Sequence, residues 1–163
     1  METSSPLRRK QERLLLVVCT GNICRSPMAA ALLGSRLSAE NLMGWTVESR
    51  GVSAVEGHPA TSYAEAAAQE VGLDISAHRG RQLTSEDAET AELVLTLEGW
   101  QRDRIRELVP SRADRVQLLT HFDSAQPDRD IADPYGRNLR FFRACLHEIS
   151  EAIDSVVHHL KQA

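Results

Sequence analysis

The chain has 163 residues, 42% hydrophobic and 26% charged, which suits one globular domain with one core and excludes collagen-like, wholly disordered and membrane-embedded classes. Nineteen Lys and Arg against 23 Asp and Glu leave a formal charge of -4, so no global field exists to hold nucleic acid or an anionic bilayer, and any anion site has to be local. Three cysteines, Cys19, Cys24 and Cys145, are too few to staple a secreted scaffold and are expected as thiols in a reducing compartment, with the cytoplasm the default.

The first dozen residues, METSSPLRRKQE, are polar and aperiodic, and read as a loosely ordered N-terminal extension over 1–12 ahead of a single domain over 13–163. Its Arg8, Arg9 and Lys10 are read as solvated rather than as a phosphate contact. The longest apolar run, Leu14 to Cys19, is too short for a membrane span or a signal peptide. Residues 13–19, 45–52, 91–97 and 115–120 have the β-branched-rich character of strands buried on both faces. Between them, 27–38, 60–71 and 98–108 repeat apolar residues at three and four and predict helices. Gly72 suits the left-handed residue after a helix end, and Val109-Pro110 stops the following helix. The aperiodic stretch 121–136 holds two prolines and the acids Asp128, Asp130 and Asp133, as a functional or disordered loop would. Last, Leu139, Phe142, Leu146, Ile149, Ile153, Val156 and Leu160 predict a long helix lying across the sheet with one face buried. The alternation of strands and helices predicts an α/β fold, a single three-layer domain with a four-stranded parallel sheet flanked by helices.

The chemistry concentrates in residues 14–27, LLLVVCTGNICRSP, where a strand breaks at Cys19 and a helix opens at Ser26-Pro27. Strand, tight loop and helix form an anion-binding geometry. Gly21 and Asn22 tolerate positive φ, so the amides of Thr20 to Ser26 can turn inward, and the helix N-terminus adds partial positive charge. Pro27 fits a first helical turn, where its missing donor costs nothing. Arg25 at the far lip offers a planar fork for two oxygens of a tetrahedral dianion. A helix N-terminus and a nearby cation favour thiolate over thiol, which makes Cys19 a nucleophile aimed at phosphorus, with Ser26 able to donate its hydroxyl to the sulfur. There is no Gly-Lys-Ser/Thr for a nucleotide and no GxGxxG for a dinucleotide. Cys19 and Cys24 lack a second pair of soft ligands, and His58, His78 and His121 form no motif with them, so neither metal nor cofactor is expected.

These residues resemble the low-molecular-weight protein tyrosine phosphatases, whose signature V-C-x-G-N-x-C-R-S-P stands complete from Val18 to Pro27 and whose Asp-Pro-Tyr is matched by Asp133-Pro134-Tyr135. The resemblance covers about 13–160 and implies a phosphate loop after the first strand and a two-step hydrolysis. It implies that Cys19 forms a phosphocysteine while Arg25 and the loop residues Thr20, Gly21, Asn22, Ile23, Cys24 and Ser26 hold the phosphoryl oxygens. Asp133 would protonate the leaving oxygen and then activate water, a role a carboxyl on a loop near a dianion can fill. It further implies that Asn22 stiffens the loop by bonding to Ser26, Ser49 and His78, and that Ile23 and Tyr135 wall the pocket for a flat ring. Gly136 after Tyr135, and Val55 where many members carry an aromatic, resemble bacterial members. Relatives that act on phosphoarginine look to have Thr in place of Ile23 and Phe in place of Tyr135, so phosphotyrosine in proteins is the expected substrate and phosphoarginine the alternative.

In the family, Cys24 can pair with the nucleophile and shield it from oxidation, and a small buried thiol is the equal alternative. Cys145 sits beside Phe142 and Ile149 as a core thiol would. Arsenate reductases of this fold use two further cysteines around the segment aligned with 79–97, which has none here. A phosphoprotein-binding or redox-sensing module is the non-enzyme alternative, against which Cys19, Arg25 and Asp133 argue together. Trp45 and Trp100 are expected to pack, Asp128 and Asp130 to be solvated, and His158 and His159 to complete a helix C-terminus rather than bind metal. Glu98 receives no role.

Overall fold

The computed structural model describes residues 12–163, so the expected extension, with Arg8, Arg9 and Lys10, lies outside the described residues except for Glu12. Four parallel strands, β1 (Arg13–Cys19), β2 (Trp45–Gly51), β3 (Leu93–Thr96) and β4 (Val116–Leu118), run in the order β2-β1-β3-β4. Central β1 pairs with β2 from Arg13↔Trp45 to Cys19↔Gly51 and with β3 from Leu15↔Leu93 to Val18↔Thr96. Side chains alternate between the faces of a strand, so Leu15 and Val17 enter one core while Leu16 and Val18 enter another, all four fully buried. The first core is closed by α1 (Arg25–Ala39), α2 (Ser62–Glu70) and α5 (Leu139–Lys161), the second by α3 (Ser85–Thr90) and α4 (Gly99–Leu108). These are the three expected layers in a single α/β domain. In an open sheet of this kind ligands bind at the strands' carboxyl ends where the chain changes side, which here is between β1 and β3.

Several boundaries depart from the sequence pattern for identifiable reasons. From Trp45 to Ser49, β2 is only partly buried, because it is an edge strand. The strand expected over 115–120 shrinks to Val116–Leu118, since 3₁₀ turns at Pro110–Arg115 and Leu119–Phe122 take its flanks. Pro110 has the fixed φ that suits a helical first position. Helix α3 is not foreshadowed by periodicity, being six residues long, and owes its start to a capping box in which Thr84 and Asp87 exchange hydrogen bonds, both 3.1 Å. Its C-cap is Ala91, which delays β3 to Leu93.

Helix α2 is capped by Thr61, whose hydroxyl accepts from the Ala64 amide at 3.3 Å. It ends as Gly72 predicts: at φ +81° this residue lets Leu73 N reach Ala68 O at 2.9 Å, the Schellman closure. Helix α5 buries one face, with Ile149, Ile153 and Val156 fully covered, each worth about 1.5–3 kcal/mol relative to exposure. It lies against α1, α2 and the Leu119–Phe122 turn and shares one core with Leu15, Val17 and Leu95 of the sheet, so with α1 and α2 it covers this face of the sheet as expected. No helix among the described residues is long and apolar enough to cross a membrane.

Candidate active site

Strand β1 ends at Cys19, and the chain turns through Thr20 to Cys24 before α1 begins at Arg25. The carbonyls of this turn are held from outside. Those of Cys19, Thr20, Gly21 and Ile23 accept from the amides of Val52, Ser53, Val55 and Thr61 at 2.9–3.0 Å, and that of Asn22 from His78 Nε2 at 2.6 Å. A trans peptide plane points its N–H opposite its C=O, so the amides of Thr20 to Cys24 turn inward. Among the described residues, no amide from Gly21 to Ser26 donates to a backbone carbonyl beyond the regular elements, and Cys24 caps α1 without a side-chain bond. The result is a cradle of free donors at a positive helix end.

The turn's shape rests on two positions. Fully buried Asn22 adopts φ +59°, a left-handed conformation Asn accepts more readily than other side chains, and Gly21, expected to share it, does not. Its Nδ2 donates to Ser26 Oγ at 2.7 Å and Ser49 Oγ at 3.0 Å, while its Oδ1 accepts from Arg81 N at 2.9 Å. The second is Gly51, where a Cβ would stand 2.5 Å from Thr20 O; only glycine lets the end of β2 close on the turn. Burial lowers the pKa of His78, with Arg79 adding to the shift and the bond to Asn22 opposing it. A neutral ring that donates through Nε2 fits that environment.

Cys19 Sγ lies at the floor, 2.9 Å from Ser26 Oγ. Arg25 is only 1% exposed, and its Nη1 is committed to Glu98 Oε1 at 2.5 Å and to Ile131 O at 2.8 Å. Its Nε is buried without a partner and its Nη2 stands 3.5 Å from Asp133 Oδ2, so the Nε–Nη2 edge of the fork is the one open to an anion. An unpaired buried donor costs about 1–3 kcal/mol, which a bound oxyanion would recover.

Glu98, to which the sequence reading gave no role, is therefore the residue that orients Arg25. The available signal was its position just past the carboxyl end of β3, at the point where the chain changes side. The indole N–H of Trp100 donates to the other oxygen of Glu98, so this half-exposed tryptophan is not the packing residue expected. Trp45 is partly buried and lies under the Arg13 guanidinium, 4.0 Å from its ring centre.

The loop over 121–136 is ordered by its own bonds. Buried Ile131 donates to Leu97 O at 2.9 Å, Asp130 Oδ1 accepts from Gly99 N at 2.8 Å, and Asp128 pairs with His121 Nδ1 at 2.8 Å. Asp130 and Asp128 are exposed, as expected of a solvated pair, and each also makes a bond that holds the loop. The loop brings Asp133, with its side chain 42% exposed, over Arg25, and its Oδ1 accepts from Tyr135 N at 3.0 Å.

Cys19, Arg25, Ile23, Val55, Asp133 and Tyr135 line one open cleft of about 280 Å³, together with Thr20, Gly21, Ser53 and Cys24. Tyr135 is 64% exposed and stands on the rim rather than enclosing a wall. All three cysteines are buried free thiols. Burial pushes Cys24 up to about 11, with its Sγ 3.6 Å from Thr61 Oγ1, and Cys145 up to about 12, so both stay protonated at neutral pH. No group of three His, Cys, Asp or Glu able to hold a metal ion occurs among the described residues. In the last turn of α5, His159 stacks on Phe122 at 4.1 Å.

Residues 14–163 match the family described as low molecular weight phosphotyrosine protein phosphatase. The chain is 38% identical to a probable low molecular weight protein-tyrosine-phosphatase, EpsP, of Ralstonia nicotianae over 91% of its own length and 97% of that protein. It is 40% identical to a protein-arginine-phosphatase of Geobacillus stearothermophilus, over 90% of this chain and 95% of the relative. Among solved structures, the YwlE arginine phosphatase from Geobacillus stearothermophilus aligns with a TM-score of 0.82 at 39% identity, covering 92% of this chain and 94% of the other. A low molecular weight protein tyrosine phosphatase from T. tengcongensis aligns at 0.83 and 35% identity, covering 90% and 99%.

Proposed function

Because the chain belongs to the low molecular weight phosphotyrosine protein phosphatase family, we propose that it hydrolyses phosphotyrosine in proteins through a phosphocysteine on Cys19. The observation that carries this reading is the cradle of inward amides around Cys19 with the open edge of Arg25 facing it and Asp133 above. The dianion sits on the amides of Thr20 to Ser26 and on Arg25 Nε and Nη2, which leaves phosphorus over the sulfur. Cys19 attacks as the thiolate, the S–P bond forms as the P–O bond breaks, and Asp133 gives its proton to the departing phenolate. In the second step Asp133 takes a proton from water as the water oxygen bonds to phosphorus. The S–P bond then breaks, and the thiolate leaves with the Ser26 hydroxyl donating to it, 2.9 Å away in the resting structure.

Side chains and water supply this whole cycle, so EDTA is expected to leave turnover unchanged. Buried thiols suit a reducing compartment, and we place the protein in the cytoplasm.

The second reading, phosphoarginine hydrolysis, is favoured by the identity with the Geobacillus enzyme. Against it, Ile23 and Tyr135 give an apolar side and an aromatic rim that match a phenyl ring better than a guanidinium. Matched phosphotyrosine and phosphoarginine peptides, assayed with Cys19→Ser as the blank, decide the matter. A higher kcat/KM on phosphotyrosine is expected. The reverse order overturns the substrate, and phosphate release that survives in Cys19→Ser overturns the mechanism.

A further inference from the structure

Gln101 is fully buried in the first turn of α4, and both ends of its side-chain amide are used. Its Oε1 accepts from the amides of Leu97 and Glu98, both at 3.0 Å, where β3 gives way to α4. Two backbone donors fix which end is oxygen, so Nε2 faces Thr20 and donates to its hydroxyl at 3.0 Å. The Thr20 hydroxyl accepts there, which leaves its own proton for a second acceptor on the side of the cleft that Thr20 lines.

Gln101 and Glu98 form one capping box: the Glu98 carboxylate accepts from the Gln101 amide, and the same carboxylate holds Arg25. Asp130, three positions before Asp133, binds the Gly99 amide between them. One helical turn thus holds the residue after the nucleophile, the arginine that closes the loop and the root of the loop carrying the acid.

We infer that Gln101 is a positioning residue for phosphoryl transfer, holding Thr20 so that its amide and hydroxyl meet the phosphoryl oxygens as charge develops on them. This deepens the reading above and rests on it. A truncated Gln101 leaves the Glu98 amide and the Thr20 hydroxyl without these partners and the Leu97 amide with Val18 O alone at 3.2 Å, so the cradle loses its hold on Thr20. Because the contact acts on the geometry of the transition state, its loss falls on kcat more than on KM.

The test measures kcat and KM on p-nitrophenyl phosphate, inhibition by orthovanadate and by inorganic phosphate, and Tm. The proteins are the wild type, Gln101→Leu, Thr20→Val, the double variant and Thr20→Ser. Gln101→Leu and Thr20→Val are each expected to lower kcat roughly ten- to a hundredfold, the usual cost of a small misplacement in a reacting site. KM should move far less, and vanadate, which mimics the transition state, should lose affinity in proportion to kcat while phosphate keeps its own. The double variant should be no worse than the poorer single one, and Thr20→Ser should recover most of the loss in Thr20→Val. Unchanged kcat in either single variant, multiplying losses in the double, or losses that track Tm alone and strike vanadate and phosphate alike overturn the inference. If Gln101→Leu does not fold, Thr20→Val and Thr20→Ser carry the same contrast. A wild-type protein without turnover overturns the phosphatase reading and this inference with it, whereas an active wild type with an indifferent Gln101 and Thr20 overturns the inference alone.

Discussion

Arg25 keeps one nitrogen unpaired in the interior while another is tied to Glu98 and Ile131, a division that sets its open edge at the mouth of the cradle. Asp133 shows the opposite bias: it is half exposed, on a loop, and open to water. In the proposed mechanism, the proton it would deliver matters most when the leaving group is a poor one. Asp133→Ala is therefore expected to lower kcat roughly 10²–10⁴-fold. The loss should be larger on phenyl phosphate than on p-nitrophenyl phosphate, whose leaving group needs the proton less; an equal loss on both substrates in steady-state assays would move the acid role elsewhere.

Among the elements, α3 contributes through its cap. Asp87 completes the capping box with Thr84 and also accepts from Arg50 Nε at 3.2 Å, which fastens the short helix to the end of β2. Arg50 in turn offers its carbonyl to Ser26 Oγ at 3.4 Å, longer than the contact from the same oxygen to Cys19. Thr84→Ala removes the cap and should cost about 1 kcal/mol in denaturant unfolding. Because α3 lies under the second core and outside the cleft, kcat/KM should not follow; a stability change near zero would mean that packing of Ala88, and not the cap, holds the helix.

At the scale of the whole molecule, stability and pH are linked through His78. Its native pKa is lowered from the ordinary imidazole value of 6.5, chiefly by burial, so below 6.5 the unfolded chain takes up a proton the native one resists. The contribution is complete above 6.5 and is lost as pH falls toward the lowered native value. Urea unfolding of the wild type should therefore weaken from pH 7 to pH 5, and His78→Gln should show a shallower slope over that window; equal slopes would show that His78 does not couple the loop to global folding.

By itself the sequence determined the strand–helix alternation, the turn from Val18 to Pro27 and the burial of one face of α5, because hydrophobic period and turn chemistry act between residues close in the chain. Asp133 was legible only as part of Asp-Pro-Tyr, and Ser49 and His78 only through the resemblance. Glu98 and Gln101 were not legible as site residues, since their partners Arg25 and Thr20 lie 73 and 81 positions away. The tertiary structure decided that pairing: β3 lies beside β1, and their carboxyl ends open at the same edge where the chain changes side of the sheet. Contacts across that edge depend on strand order, which no local pattern encodes.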